Sequence, residues 1–280
     1  MHLALLAVQV AFSTLPVEGK LAMGPAHGVA PAALAMARIA GAALVFGAMA
    51  PFLPGERVRR LRDVLTLGAL ALLGIVLNQA LFLEGLKKTS PLAATVLVGA
   101  IPVFTAAISV LLGRERLTAR LAGGLGLAVL GMLTLSRFHL PTLGDRLVIL
   151  NALSYALYLA LAQPTLRRFG TLRVMAWVFG LAALMFAPYA GADLVRGAAL
   201  WSPTAMALVL FLVLVPTIFA YAANAWALAR ATPTEVTAYI FLQPLVVAVL
   251  SFVQLGQPVE PRLLGAGVII LAGVAIVARR

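Results

Sequence analysis

Long apolar stretches alternate with short polar turns along the whole chain. Ten such stretches can be drawn, at about Leu3–Met23, Pro31–Pro51, Val64–Leu86, Pro91–Leu112, Thr118–Ser136, Leu147–Leu166, Leu172–Tyr189, Pro203–Leu228, Pro233–Gln254 and Pro261–Ala278. Each comes close to the roughly 20 apolar residues that a helix needs to cross a bilayer. None is broken into the short alternating strands of a membrane barrel. Backbone N–H and C=O groups find no water in hydrocarbon, so all ten are predicted to be helices. Helix punctuation agrees. Ser90-Pro91 and Ser202-Pro203 each put a capping hydroxyl before a proline at the first helical position, where the missing N–H is no loss. Thr232-Pro233-Thr234-Glu235 reads as a capping box, which makes Glu235 a cap rather than a substrate ligand.

The pattern is written twice. Between Asn78 and Arg137 it runs through residues that return between Ala220 and Arg279 at a constant offset of 142 positions, without a gap. Pro91 meets Pro233, Thr95 meets Thr237, Pro102 meets Pro244, Ser109 meets Ser251, Arg120 meets Arg262 and Gly131 meets Gly273. Matches of Leu or Ala would mean little in so apolar a chain; matches of Pro, Ser, Thr and Arg at one offset mean more. The chain is therefore read as two five-helix units, 1–137 and 138–280, in an all-α membrane protein, an arrangement typical of transporters.

Composition narrows the class. The 280 residues are 63% hydrophobic and 11% charged, with a mean hydropathy of +1.06, more apolar surface than one soluble core can hide. The net charge of +12 does not signal nucleic acid, because the basic residues sit in short turns between apolar stretches. With the amino terminus in the cytoplasm, thirteen Lys and Arg fall in inside segments and six in outside loops, leaving aside Lys20 and Arg38. That asymmetry places both termini inside. Five helices per unit then invert the second unit relative to the first, so that one site can face each side in turn. The first stretch lacks the basic start and cleavage site of a secretory signal and is read as a span. There is no cysteine, hence no disulfide, thiolate metal site or cysteine nucleophile.

Polar residues inside lipid belong against protein or trapped water. The fifth and tenth stretches carry almost none but are rich in glycine (Gly123, Gly124, Gly126, Gly131; Gly265, Gly267, Gly273) and are read as packing helices. Elsewhere the polar groups form stripes at helical spacing: Asn151, Ser154, Tyr155 and Tyr158; Thr217, Tyr221 and Asn224; Tyr239 and Gln243; Gln9 and Ser13. Asn78 and Gln79 lie where the first unit matches Ala220 and Tyr221. Each of these groups has an alternative use in plain helix-to-helix hydrogen bonding. As a set that recurs in both units, they are predicted to line a water-accessible substrate pathway between the halves. Pro102 and Pro244 fall mid-helix at matched positions, each freeing a carbonyl, as kinks that either shape a cavity and hinge a motion or simply pack.

Of the charged residues within the drawn spans, Glu18, Lys20, Arg38 and Glu84 are the candidates for coupling or structural ion pairs. Glu18 is expected to pair with Lys20 or Arg38, and Glu84 with Lys87 or Lys88. The competing role for a buried carboxylate is proton coupling. No phosphate-binding loop or HExxH is present, and His2, His27 and His139 lack ligand spacing. No enzyme, cofactor or metal is expected. The partners expected are a small-molecule substrate and the lipid bilayer, with no nucleic acid, and a monomer is compatible with the chain.

The stretch Leu86-Lys87-Lys88-Thr89-Ser90-Pro91-Leu92-Ala93-Ala94, then Ile101-Pro102-Val103-Phe104, Gly113-Arg114-Glu115-Arg116-Leu117 and Leu121-Ala122-Gly123, resembles the EamA-type branch of the drug/metabolite transporter superfamily. Gln243-Pro244-Leu245-Val246-Val247 and Leu264-Gly265-Ala266-Gly267 look like the family's second domain, and Lys20 and Arg38 match typical family positions. The resemblance spans the full length. It implies ten helices as two inverted repeats in a bacterial inner membrane, and export of small metabolites, among which amino acids, aromatic ones included, stand first. The alternative is a broad exporter of cationic or aromatic drugs, held by Tyr155, Tyr158, Tyr221, Tyr239 and Trp226. Glu115 matches the family's acidic position and, between Arg114 and Arg116, is read as an end-of-helix ion pair. Gln257 stands at the corresponding place in the second unit, where the family often has glutamate, so no pair is expected there.

Overall fold

The computed structural model describes residues 1–53, 56–135, 142–256 and 262–278. Among these, eight helices are long and apolar enough to cross a membrane: α1 (His2–Ala22), α2 (Pro31–Phe52), α3 (Leu61–Lys88), α4 (Pro91–Leu111), α6 (Leu143–Phe169), α7 (Thr171–Ala198), α8 (Pro203–Leu228) and α9 (Pro233–Leu255). Two shorter apolar helices complete the chain, α5 (Ala119–Leu135) and α10 (Arg262–Ala278). The last helix of each expected five-helix unit is thus the short one among the described residues. At 17 residues each, α5 and α10 rise about 25 Å, short of the roughly 30 Å hydrocarbon core. Ser136, Arg137, His139, Gln257, Pro261, Arg279 and Arg280 lie outside the described residues.

The caps form as their sequences require. The Ser90 hydroxyl accepts from the Ala93 N–H at 3.1 Å and that of Ser202 from Ala205 at 3.2 Å. Thr232 and Glu235 form the expected capping box. A second box, Thr142 with Asp145, starts α6 and was not foreseen. Gly170 turns the chain between α6 and α7 at φ 83°, a left-handed conformation that a side chain would strain.

Helix packing is reciprocal between the units. α2 lies along α7, and α5 along α10; α1 packs on α8 and α9, while α6, its counterpart five helices on, packs on α3 and α4. Close approach depends on glycine. A Cβ on Gly124 would meet the Gly273 carbonyl at 3.0 Å, and one on Gly131 would meet Ile270 at 2.6 Å. Gly123, Gly126 and Gly265 meet nothing within 4 Å, so only part of each glycine-rich helix serves packing. Gly85 and Gly144 bring α3 against α6 in the same way. Large apolar side chains such as Leu44, Val253 and Val268 are at least 70% exposed on the outside of the bundle, while Gln9, Arg38, Gln79 and Asn151 are buried within it. Polar inside and apolar outside is the pattern lipid demands.

Both units also depart from the α-helix at the same place. α3 contains a π-helical segment at Leu72–Val76 and α8 another at Leu214–Phe219, starting 142 residues apart. Pro216 has no N–H to give the carbonyl of Leu212 one turn back; the Thr217 hydroxyl donates to that carbonyl instead, at 2.7 Å. In α3 the Ser154 hydroxyl donates to the Leu73 carbonyl at 2.7 Å. Wide turns of this kind recur at functional sites.

Candidate substrate cavity

A cavity opens between the helices of both units, lined by residues of α1, α2, α3, α4, α6, α8 and α9. Of the residues expected there, Gln9, Asn78, Gln79, Asn151, Tyr155, Tyr221, Asn224 and Gln243 line it. They also tie helices together. Gln243 Nε2 donates to Gln9 Oε1 at 2.7 Å, the Tyr221 hydroxyl to Asn78 Oδ1 at 2.9 Å, Asn151 Nδ2 to the Asn78 carbonyl at 2.7 Å and Asn224 Nδ2 to the Tyr155 hydroxyl at 3.3 Å. Lining and helix bonding are thus two uses of the same side chains.

Five expected residues lie behind the wall instead. Ser13 turns back on the Gln9 carbonyl at 2.7 Å, Ser154 on Leu73, and Thr217 on Leu212. Hydroxyls this short readily bond their own helix or the neighbouring one, which draws them off the cavity. Tyr158 stacks on Tyr155, ring centroids 5.6 Å apart, and fills the notch left by Gly74. Tyr239 bonds the imidazole of His2. Trp226 faces outward under the guanidinium of Arg230.

Sequence stripes missed the apolar part of the wall, including Phe12, Phe82, Val98, Ile101, Leu159 and Ile240, together with Thr95 and Thr237. The signal was the repeat itself. Gln9 and Asn151, Gln79 and Tyr221, Phe82 and Asn224, Thr95 and Thr237, Val98 and Ile240, and Ile101 and Gln243 are six pairs at the offset of 142, and every member lines the cavity. The prolines act here too. Chain geometry breaks at Gly99 in α4 and through the 3₁₀ turn Tyr239–Leu242 in α9. Pro102 and Pro244 leave the carbonyls of Val98 and Ile240 without a helical donor, and both residues line the cavity.

Of the charged residues, Glu84 pairs as expected, while Lys20, Arg38 and Glu115 find different partners. Lys20 reaches three carbonyls at the end of α3, those of Leu86, Lys87 and Thr89, at 2.8, 3.0 and 2.8 Å. Residues two apart on a helix do not face each other, and Glu18 forms no ion pair with Lys20 or Arg38 among the described residues. Arg38 instead donates from Nε to the Thr217 hydroxyl at 2.8 Å and lines the cavity. Glu84 pairs with Lys88, one turn on, at 3.6 Å. Glu115 does not pair with Arg114 or Arg116: it accepts from the Thr234 N–H at 3.2 Å, at the start of α9, where the helix dipole favours a negative charge. Arg114 bonds the Ala160 carbonyl. No cluster of three metal-ligating side chains occurs among the described residues.

The packing behind the cavity wall is sensitive to volume at Gly74. A Cβ on Gly74, inside the first π segment, would meet Tyr158 ring atoms at 2.4 Å. Gly74→Ala is expected to displace the Tyr155–Tyr158 stack and destabilise the protein by about 1–3 kcal/mol, read as a lower melting temperature in detergent. Gly47→Ala, with nothing within 4 Å, should be at least as stable as wild type.

A bundle of helices long and apolar enough to cross a membrane, around a cavity lined by apolar and amide side chains, fits a multi-pass membrane protein. The family model described as the EamA-like transporter family matches residues 1–137 and 142–279; the chain belongs to that family. It is 29% identical over 217 residues to an uncharacterized transporter of Archaeoglobus fulgidus, covering 75% of this chain and 74% of the relative. It is 27% identical over 257 residues to a probable terminal-alkyne amino-acid exporter of Streptantibioticus cattleyicolor, covering 91% and 85%. A crystal structure with 19% identity superposes with a TM-score of 0.72 over 98% of this chain and 94% of the other, which supports the fold.

Proposed function

We propose that the protein is a secondary transporter of a bacterial inner membrane that exports amino acids, aromatic ones among them, or related small metabolites by alternating access. Its ten helices act as two inverted five-helix repeats, 1–137 and 138–280, with both termini in the cytoplasm. The observation that carries this reading is the cavity wall built from six residue pairs 142 positions apart. Two inverted copies that share one cavity can expose it to either face by exchanging conformations. The name of the Streptantibioticus relative, a probable amino-acid exporter, supports the substrate class. The energy source in this reading is an ion or substrate gradient. Glu18, half-buried and without an ion pair among the described residues, is the candidate for proton coupling.

The alternative, export of cationic aromatic drugs, finds less support. Of the five rings it relied on, Tyr155 and Tyr221 line the cavity, and no acidic side chain lines it among the described residues. Transport should be measured in proteoliposomes with labelled amino acids and cationic dyes, with and without a pH gradient. Amino acids are expected to cross faster than in empty vesicles. Movement of dyes alone would establish the alternative, and movement of neither would remove both. Glu18→Gln is expected to abolish the effect of the gradient; a variant whose response to pH matches the wild type would clear Glu18 of coupling.

A further inference from the structure

Among the described residues Arg38 is the one guanidinium that lines the cavity, and it is 1% exposed. Its Nε–H is spent on Thr217 Oγ1, at 2.8 Å. The Thr217 hydroxyl gives its own proton to the Leu212 carbonyl, so toward Arg38 it acts as an acceptor and fixes the plane of the guanidinium. That anchor is the only hydrogen bond of Arg38 among the described residues. Its two terminal nitrogens therefore keep their N–H groups for something else. A buried guanidinium without a counterion is unfavourable, and its natural complement is a planar carboxylate held by two parallel hydrogen bonds.

A second observation points the same way. Gln79 lines the same cavity, 1% exposed, with both Nε2 and Oε1 buried and unpartnered. Gln9 lines it as well; its Oε1 accepts from Gln243, and its Nε2 has no partner. Polar atoms buried without partners are rare in folded proteins. Of the buried side-chain atoms without a partner, three (Gln79 Nε2, Gln79 Oε1 and Gln9 Nε2) belong to residues that line the same cavity as Arg38.

We infer that Arg38, oriented by Thr217 and assisted by the free amides of Gln79 and Gln9, binds the carboxylate of the transported molecule. This deepens the exporter reading and rests on it. The class selected is a small carboxylate whose net charge is zero or −1, such as an amino acid or a simple carboxylic acid. A molecule carrying only an ammonium group would meet the charge of Arg38 with no acidic residue among the described lining residues to offset it, finding amide and hydroxyl oxygens and the faces of Tyr155 and Tyr221.

The test uses the full chain purified in detergent and matched sets of probes: L-phenylalanine, L-phenylalaninamide, 3-phenylpropionate and 2-phenylethylamine, with L-leucine, L-leucinamide and 3-methylbutylamine. Binding is read as ligand-induced stabilisation against concentration. The acids are expected to bind wild type at least about tenfold more tightly than the amides and amines. Arg38→Gln should weaken the acids by roughly 10- to 100-fold and leave the weak binding of the amides as it was, which also reports that the variant is folded. Arg38→Lys keeps the charge but not the fork, and Thr217→Val keeps the guanidinium but frees its orientation; each should fall between. If Arg38→Gln does not fold, these two variants decide. Equal binding of acid and amide to wild type, undiminished acid binding in the folded Arg38 or Thr217 variants, or no stabilisation by any acid would overturn the assignment. The same probes in proteoliposomes separate this inference from the exporter reading. Amides or amines carried equally by wild type and Arg38→Gln would keep the exporter and remove the carboxylate site. Acids that bind through Arg38 without crossing would keep the site and remove the exporter.

Discussion

Gly273→Leu should leave little folded protein. A Cβ on Gly273 would lie 2.7 Å from both the Ala128 nitrogen and the Gly124 carbonyl. Both are backbone atoms of the facing helix α5, so no rotamer change relieves the clash and the two helices must separate. Even alanine is expected to destabilise by about 1–3 kcal/mol, and leucine by more, seen as a fall in melting temperature and loss of the monodisperse peak on size exclusion. Gly123→Ala supplies the contrast. Nothing lies within 4 Å of its Cβ position, and alanine is the better helix former by about 1 kcal/mol, so that variant should be at least as stable as wild type. If Gly273→Leu is recovered with normal stability, the close packing of α5 on α10 is not what holds the units together.

In the proposed orientation and alternating-access cycle, Arg168→Glu is expected to open the cytoplasmic face. Arg168, late in α6, bonds Glu56 at 2.6 Å and Asp63 at 2.8 Å. Nearby, Arg173 donates to the carbonyls of Leu53 and Glu56, Arg114 to that of Ala160, and Glu115 caps α9. Every one of these contacts joins a residue of the first unit to one of the second. Arg168 and Glu56 are 41% and 51% exposed, so solvent screens the pair and its loss alone would shift little. Charge reversal adds repulsion from two carboxylates, and a population change on the order of tenfold is expected. The chain has no cysteine, so a single Ile240→Cys in the cavity wall becomes a unique probe. Its labelling by an impermeant maleimide in inside-out vesicles should speed up with Arg168→Glu; an unchanged rate would show that this cluster does not close the face. Acidity should act in the same direction. The hydrogen bond from Arg168 holds the Glu56 carboxyl below its ordinary value. The stabilisation of the closed face is then fully present above that ordinary value, about 4.3, and is lost as pH falls through the lowered one. Labelling should therefore be flat through neutral and mildly acidic pH and rise only below the usual carboxylate range.

These contacts show where reading the chain residue by residue stopped. Helix ends at Ser90, Ser202 and Thr232 were legible because a cap needs only neighbours within three residues. The breaks near Pro102 and Pro244 were legible because a missing N–H acts on its own turn. The stripe Asn151, Tyr155 was legible because helical spacing puts those residues on one face. Arg38 was singled out for its charge but assigned the wrong partner, since the hydroxyl that receives it comes from α8, 179 positions away. Glu115 was expected to pair with its sequence neighbours and instead caps a helix of the other unit. The π segments left one local mark, Pro216, with nothing comparable in α3.

The amino-acid sequence determined that the chain is helical, that lipid is its solvent, that its second half repeats its first at an offset of 142, and where its helices start and bend. Each of these follows from interactions within a turn or two of the backbone, or from the cost of exposing polar backbone to hydrocarbon. Tertiary structure decided which polar side chains reach the cavity and which turn back on a carbonyl, which guanidinium is left without a counterion, and which charges bridge the two units. Those outcomes depend on distances between atoms far apart in the chain, and they exist only once the helices have packed.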